Sequence, residues 1–365
     1  MCWTGNVSVR SPGPAPATAR GGWRSRPRLL LVAVVLVVVA GVLVFVLGGH
    51  QSAAPTARPL PLRPAGEISL PGDSSRFDYA SLDQARGLLF IAHLGASEVV
   101  EVDLRAQRVV RTIPDVSGVH GVLVVPALHR VYATATGANT MLMLDEDTGT
   151  VVGRAATGDY PDGLAYDPRR GTVWTTNESG GSETVIDAAT GAVRGTVDLG
   201  GEVGNVVYDP VTDQMLVPVQ GRGDLAIINP ATLAVIRRVA LPGCEQGHGL
   251  ALDPESRLGF VGCEGNATLA TVDLTTGQVT ATLPVGNTPD ALAYDPSAHR
   301  LYVAAEDGTV SVLDRNGRGA TLIASRHLAD GAHVVAIDPD THRSYYPIPH
   351  GSDGRPALLE QQAAQ

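Results

Sequence analysis

The sequence predicts an all-β fold: a seven-bladed β-propeller of four-stranded blades, closed by its N-terminal strand and preceded by one transmembrane helix. Three observations predict it. One phrase, Gly163-Leu164-Ala165-Tyr166-Asp167-Pro168, returns with small changes at 205–210, 249–254, 291–296 and 334–339, with weaker copies at 79–84 and 121–126. Its Asp column (Asp83, Val125, Asp167, Asp209, Asp253, Asp295, Asp338) has intervals of 42, 42, 42, 44, 42 and 43 residues, a period that marks a repeat architecture. Each period breaks into four short β-branched runs separated by Gly, Pro and Asp turns, without the i, i+3, i+4 apolar spacing of a helical repeat. Ahead of all repeats, residues 29–48 are twenty consecutive uncharged and almost wholly aliphatic residues.

The unit at 163–200 displays the parts in order. Leu164 to Asp167 is a strand that stops at Pro168, and Thr172 to Asn177 is a second. Glu183 to Asp187 is a third and Ala192 to Leu199 a fourth, with turns at Arg169-Arg170-Gly171, Ser179-Gly180-Gly181 and Ala188-Ala189-Thr190-Gly191. Four antiparallel strands in each of seven units describe a propeller. The last unit (334–339, 343–349, 356–361) stops one strand short. The stretch Gly66 to Gly72 matches Arg238 to Gly243 in type and position, so the N-terminal strand is expected to complete blade 7.

Twenty helical residues rise about 30 Å, the thickness of a bilayer core. Five Arg (Arg10, Arg20, Arg24, Arg26, Arg28) and no acid precede the end of the run, so residues 1–28 are expected in the cytoplasm as an Arg-rich tail. The run is longer than a signal-peptide core, which favours an uncleaved signal anchor over 29–48. Cleavage after Ser52-Ala53-Ala54, giving a secreted protein, is the alternative. In both cases residues 49–365 lie outside the cytoplasm, with a Pro-rich linker at 49–64 and the propeller at 65–365. All 27 basic residues are Arg, and the part beyond residue 48 sets 22 of them against 37 acids. Such a surface repels phosphate backbones, which argues against nucleic-acid binding and favours cationic ligands or metal ions.

The second strands read Arg300-Leu301-Tyr302-Val303-Ala304 or a near variant. The third strands and turns read Val185-Ile186-Asp187-Ala188-Ala189-Thr190-Gly191 or Val272-Asp273-Leu274-Thr275-Thr276-Gly277. Together with the Tyr-Asp-Pro phrases these resemble the YVTN-repeat, YncE-like family of bacterial seven-bladed propellers. The resemblance spans roughly residues 65–350. It implies the fold and no shared activity. The Gly-His and Trp-Asp signatures of WD40 repeats are absent.

Five residues before the Asp column stands a second column: Asp78, His120, Asp162, Gly204, His248, Asp290, His333. It opens the innermost strands and is expected to ring one mouth of the central channel. His and carboxylates converging on an axis suit a ligand or a divalent metal ion, with His120, His248 and His333 as the metal-ligating candidates. The competing reading is turn chemistry, Asp capping and the following Gly supplying positive φ. A second set on the same face, His93, Glu178, Glu264 and Glu306, ends the second strands and joins the ligand-binding candidates. The recurring Asp of the third-strand turns (Asp103, Asp145, Asp187, Asp273, Asp314, with Asn229 as variant) reads as an Asx turn. Cys244 and Cys263 come to the same face of blade 5, where a disulfide is expected outside the cytoplasm; Cys2 is expected to stay reduced. Asn177 and Asn266 open glycosylation-type triplets.

No Gly-x-Ser-x-Gly elbow, phosphate loop or Cys-x-x-Cys occurs. The expected function is therefore a membrane-anchored binding module that takes a small molecule or protein at its channel face. The alternatives are a metal-dependent propeller enzyme of lactonase or lyase type and a structural interaction protein of the envelope.

Overall fold

The computed structural model describes residues 58–364, which form seven four-stranded antiparallel sheets. The expected tail (1–28), the apolar run (29–48) and most of the linker lie outside the described residues. Among the described residues no helix is long and apolar enough to cross a membrane. Blade 3 is typical: Pro161–Asp167, Thr172–Asn177, Ser182–Asp187 and Val193–Asp198, paired in that order. The first strand of each blade packs beside the first strand of the next, and Ala336–Asp338 of blade 7 packs beside Ala80–Asp83 of blade 1. The Asp column is therefore the last residue of every innermost strand.

That position explains the recurrence. Asp83, Asp167 and Asp295 each turn a carboxylate back onto backbone N–H groups two or three residues on, at 2.9–3.2 Å. These carboxylates are buried, and the Asx turn supplies the partners that burial removes. Blade 2 has Val125 there and uses a 3-10 turn, Pro126–Leu128, ended by His129 at φ 49°. The third-strand turns behave likewise at Asp103, Asp145, Asp187, Asn229 and Asp273. Asp314 departs from the expectation. Its strand runs on through Thr309–Asn316, and its carboxylate instead accepts a bond from Arg300 at 3.0 Å.

Second strands such as Leu88–His93 and Thr172–Asn177 are buried at every residue, because neighbouring blades cover both faces. Phe90, Tyr132, Trp174, Phe260, Tyr302 and Tyr345 share one place in this strand, and all are buried. Outer strands have one wet face and alternate, as Gln278–Pro284 does.

The outer strand of blade 7 comes from the N-terminus: Leu62–Ser69 pairs antiparallel with Ala357–Ala363. It begins three residues inside the stretch expected as linker. Pro64 is tolerated because the strand is an edge and its register shifts between Pro64 and Gly66. Asn177, which opens a glycosylation-type triplet of a kind common by chance, is fully buried and its amide donates to Ser182 and Thr184. No glycan fits there.

Cys244 and Cys263 are joined, their Cα atoms 5.1 Å apart. Both are buried among Leu241, Leu250 and Val261. A cross-link separated by 19 residues is worth about 3 kcal/mol in the chain-entropy model. Reduction, or the double change Cys244→Ala with Cys263→Ala, is expected to lower the midpoint of thermal unfolding by several degrees. An unchanged midpoint would mean that local packing already constrains the loop.

Candidate functional site

Asp78, His120, Asp162, His248 and Asp290 of the ring line one cleft of about 400 Å³, and Glu178, Glu264 and Glu306 join them. The local cause is a bulge. In blades 2, 3, 5 and 6 the register between first and second strands shifts at the ring position: Val119/Val122, Pro161/Leu164, Gly247/Leu250 and Pro289/Ala291. A bulge re-aims side chains, and here it places the ring residues at the cleft.

The Gly that follows has a reason different from the one expected. Gly121, Gly163 and Gly249 are not among the residues at positive φ. What they provide is close approach. A Cβ on Gly121 would lie 2.2 Å from the Asp162 carbonyl oxygen, and one on Gly249 would lie 2.1 Å from that of Asp290. Gly121 and Gly249 pack against the backbone of the next blade's ring residue, and a Cβ on Gly163 would meet the Asn205 side chain of the next blade at 2.2 Å, so a side chain at any of the three would crowd two blades. Blades 6 and 7 have Ala291 and Val334 at this position, and the two polar exceptions are Tyr79 in blade 1 and Asn205 in blade 4.

Those two exceptions meet in the channel. The Tyr79 hydroxyl donates to Asp290 Oδ1 at 3.0 Å and accepts from Asn205 Nδ2 at 2.7 Å, with His248 Nε2 at 3.1 Å. Four blades are thus tied through one oxygen. Tyr79 borders both the acidic cleft and a second cavity of about 210 Å³, which Asn205 also lines and whose other walls are mostly apolar. Tyr79, held by Asn205, forms the floor between the two.

The three ring histidines have three different surroundings. His248 has the Gln220 side-chain amide 2.9 Å from Nδ1 and the Tyr79 hydroxyl at Nε2. Burial lowers its pKa, but Glu264, Asp162 and Asp290 outweigh that and push it up to about 9. Its Nε2 lies 3.5 Å from Asp162 and 3.8 Å from Asp290. His120 donates from Nδ1 to the Gly118 carbonyl at 2.9 Å and accepts from the Tyr160 hydroxyl at Nε2, at 3.0 Å. Burial pushes its pKa down. His333 bonds through Nε2 to the Phe77 carbonyl at 3.0 Å, and its buried Nδ1 has no hydrogen-bond partner. Glu306 Oε2 lies 3.9 Å from that nitrogen.

Arg76 is the guanidinium of the cleft. It lies 2.6 Å from Glu306 and 3.6 Å from both Asp78 and Asp290. The remaining acids are under-compensated. Burial, then the Asp290 and Asp162 charges, raise the Asp78 pKa well above the carboxylate range. Burial pushes Asp162 up to about 7 despite His248, and Glu264 likewise up to about 7. Asp78 Oδ2 and Asp162 Oδ1 are buried without hydrogen-bond partners.

His93 is not part of this site. It is wholly buried, stacked on Phe77 at 4.2 Å and bonded to Glu98 and Ser75. The expected trio of metal-ligating histidines is also not drawn together as a set. His120 and His248 have both ring nitrogens engaged, and among the described residues the two candidate three-donor groups are His248–Glu264–Asp290 and Asp290–Glu306–His333. Arg76, Tyr79 and Tyr160 were not singled out by sequence. Tyr79 was detectable as the one aromatic residue in a column otherwise of Gly, Asn, Ala and Val, whereas Arg76 has no Arg counterpart in other blades.

The sequence matches no protein-family model and no curated protein. The fold has many solved relatives. A chain of Kuenenia stuttgartiensis hydrazine synthase superposes with a TM-score of 0.66 at 16% identity, over 82% of this chain and 96% of that one. A chain of the mitotic checkpoint complex superposes with a TM-score of 0.70 at 14% identity, over 87% and 97%. At such identities the likeness is one of fold: this chain is a seven-bladed β-propeller.

Proposed function

We propose that this protein is a membrane-anchored, extracytoplasmic propeller of the YVTN-repeat, YncE-like kind, and that it binds a cation at its acidic channel mouth. Residues 29–48 would hold it to the membrane with the propeller outside the cytoplasm. The repeated Tyr-Asp-Pro and Thr-Gly phrases support the family reading. The propeller in the mitotic checkpoint complex belongs to a protein assembly, and a protein partner presenting a basic side chain suits the same mouth.

One observation carries the reading: six carboxylates (Asp78, Asp162, Glu178, Glu264, Asp290, Glu306) converge on one cleft, where they outnumber the basic side chains Arg76, His120 and His248. Three of them have pKa values raised by burial and by one another. Protons there offset charge that a bound cation would offset better.

The test is a thermal-shift and calorimetric titration of the full-length protein with spermidine and with divalent metal salts. Binding is expected to tighten as pH rises from 6 to 8. Asp162 and Glu264 are protonated below about 7, so the cation must displace protons at pH 6 and meets carboxylates at pH 8. Asp162→Asn is expected to weaken binding about tenfold. Binding that is absent for every cation, or indifferent to Asp162→Asn, rules out the mouth as a cation site.

A further inference from the structure

We infer that Asp290, Glu306 and His333 form a divalent transition-metal site, at which the metal competes with the guanidinium of Arg76. This rests on the channel mouth being a cation site and narrows it to one ion and one subsite. Each of the three residues offers one donor atom, and the three atoms lie within 4.8 Å of one another. Metal–ligand distances near 2.1 Å require donor atoms roughly 3–3.5 Å apart. Glu306, whose side chain is 31% exposed, is the donor with most freedom to rotate toward the other two.

The independent observation is at His333. Its side chain is 4% exposed. Nε2 faces the Phe77 carbonyl, so that nitrogen carries the hydrogen and the ring orientation is set. This leaves the lone pair of Nδ1 buried and without a partner. An imidazole that donates its far N–H to a backbone carbonyl and holds its near nitrogen free is the arrangement that orients a metal-ligating His. A buried acceptor without a donor is costly in a folded protein, and a metal ion removes that cost. His248, in the rival group with Glu264, has no such lone pair, because the Gln220 amide and the Tyr79 hydroxyl occupy its two nitrogens.

Arg76 supplies the competition. Its guanidinium lies 2.6 Å from Glu306 and 3.6 Å from Asp290, on two of the three donors. Its side chain is 40% exposed and has room to swing outward. A divalent ion would then carry two charges where the guanidinium carries one, against Asp78, Asp290 and Glu306. An imidazole with two carboxylates suits Zn²⁺ and its first-row neighbours and disfavours Mg²⁺.

The experiment is titration of chelator-treated, untagged full-length protein with ZnCl2, with MgCl2 as comparison. One equivalent of Zn²⁺ is expected to bind at least tenfold more tightly than Mg²⁺. His333→Ala and Glu306→Gln are each expected to weaken Zn²⁺ about tenfold or more. Glu306→Gln keeps the shape of a half-exposed side chain, so it reports on ligation even if His333→Ala disturbs folding. Glu264→Gln is expected to leave Zn²⁺ within about threefold, and Arg76→Gln to tighten it. The reverse pattern, with Glu264→Gln losing Zn²⁺ and Glu306→Gln retaining it, overturns the assignment. Zn²⁺ failing while spermidine still binds overturns the metal site alone; failure of both removes the cation reading beneath it.

Discussion

Deleting residues 62–69 from the full chain is expected to lower the unfolding midpoint by more than about 10 °C and to make the protein associate. The strand it removes, Leu62–Ser69, is the outer strand of blade 7, and its partner Ala357–Ala363 would become an open edge. A flat unpaired edge invites pairing with another chain. The strand also carries Ile68, 5% exposed in the cluster of Leu70, Phe77, Tyr345 and Leu358. Ile68→Ala alone is expected to cost about 2–4 kcal/mol, the usual result of emptying a packed site. Calorimetry and light scattering on both variants check this. A deletion that unfolds at the wild-type midpoint as a monomer would show that packing of Ala336–Asp338 against Ala80–Asp83 closes the ring without the N-terminal strand.

Tyr79→Phe is expected to destabilise the protein by about 3 kcal/mol while leaving its outline unchanged. The ring still fills the channel. The hydroxyl it loses serves Asp290, Asn205 and His248 from three blades facing its own. Each buried polar group left without a partner costs roughly 1–3 kcal/mol, and water reaching the floor of the cleft would recover part of it. Asn205→Ala provides the comparison: it removes one donor to the hydroxyl, and should cost less. Denaturant titration measures both. Equal stability of Tyr79→Phe and wild type would mean that the contacts at that oxygen contribute nothing net.

Recurrence decided what was legible beforehand. The Asp column could be placed at strand ends because the same buried carboxylate solves the same turn in most blades, and one solution written six times stands out from noise. The ring of Asp and His could be placed at a channel mouth for the same reason. Disulfide geometry followed from antiparallel pairing within a single blade. Residues that occur once had no such signal. Arg76 acts through Asp78, Asp290 and Glu306, whose contacts with it depend on blades 1 and 6 being set across a common channel. The exclusion of His93 depends on Phe77, the one aromatic residue at the position before the ring column, which stacks on it.

By itself the sequence determined the number of blades, the strand order within them and most of the turn chemistry. Those properties are local or periodic, set by hydrogen-bond demand and by alternation along short strands. Only the tertiary structure decided that Gly121, Gly163 and Gly249 serve close approach between blades, that Tyr79, held by Asn205, floors the cleft, and that the three histidines differ in their free lone pairs. Most of those depend on atoms about forty or more residues apart that meet once the ring is closed. The surroundings of His248 and His333 are set by contacts between blades, which no single repeat contains.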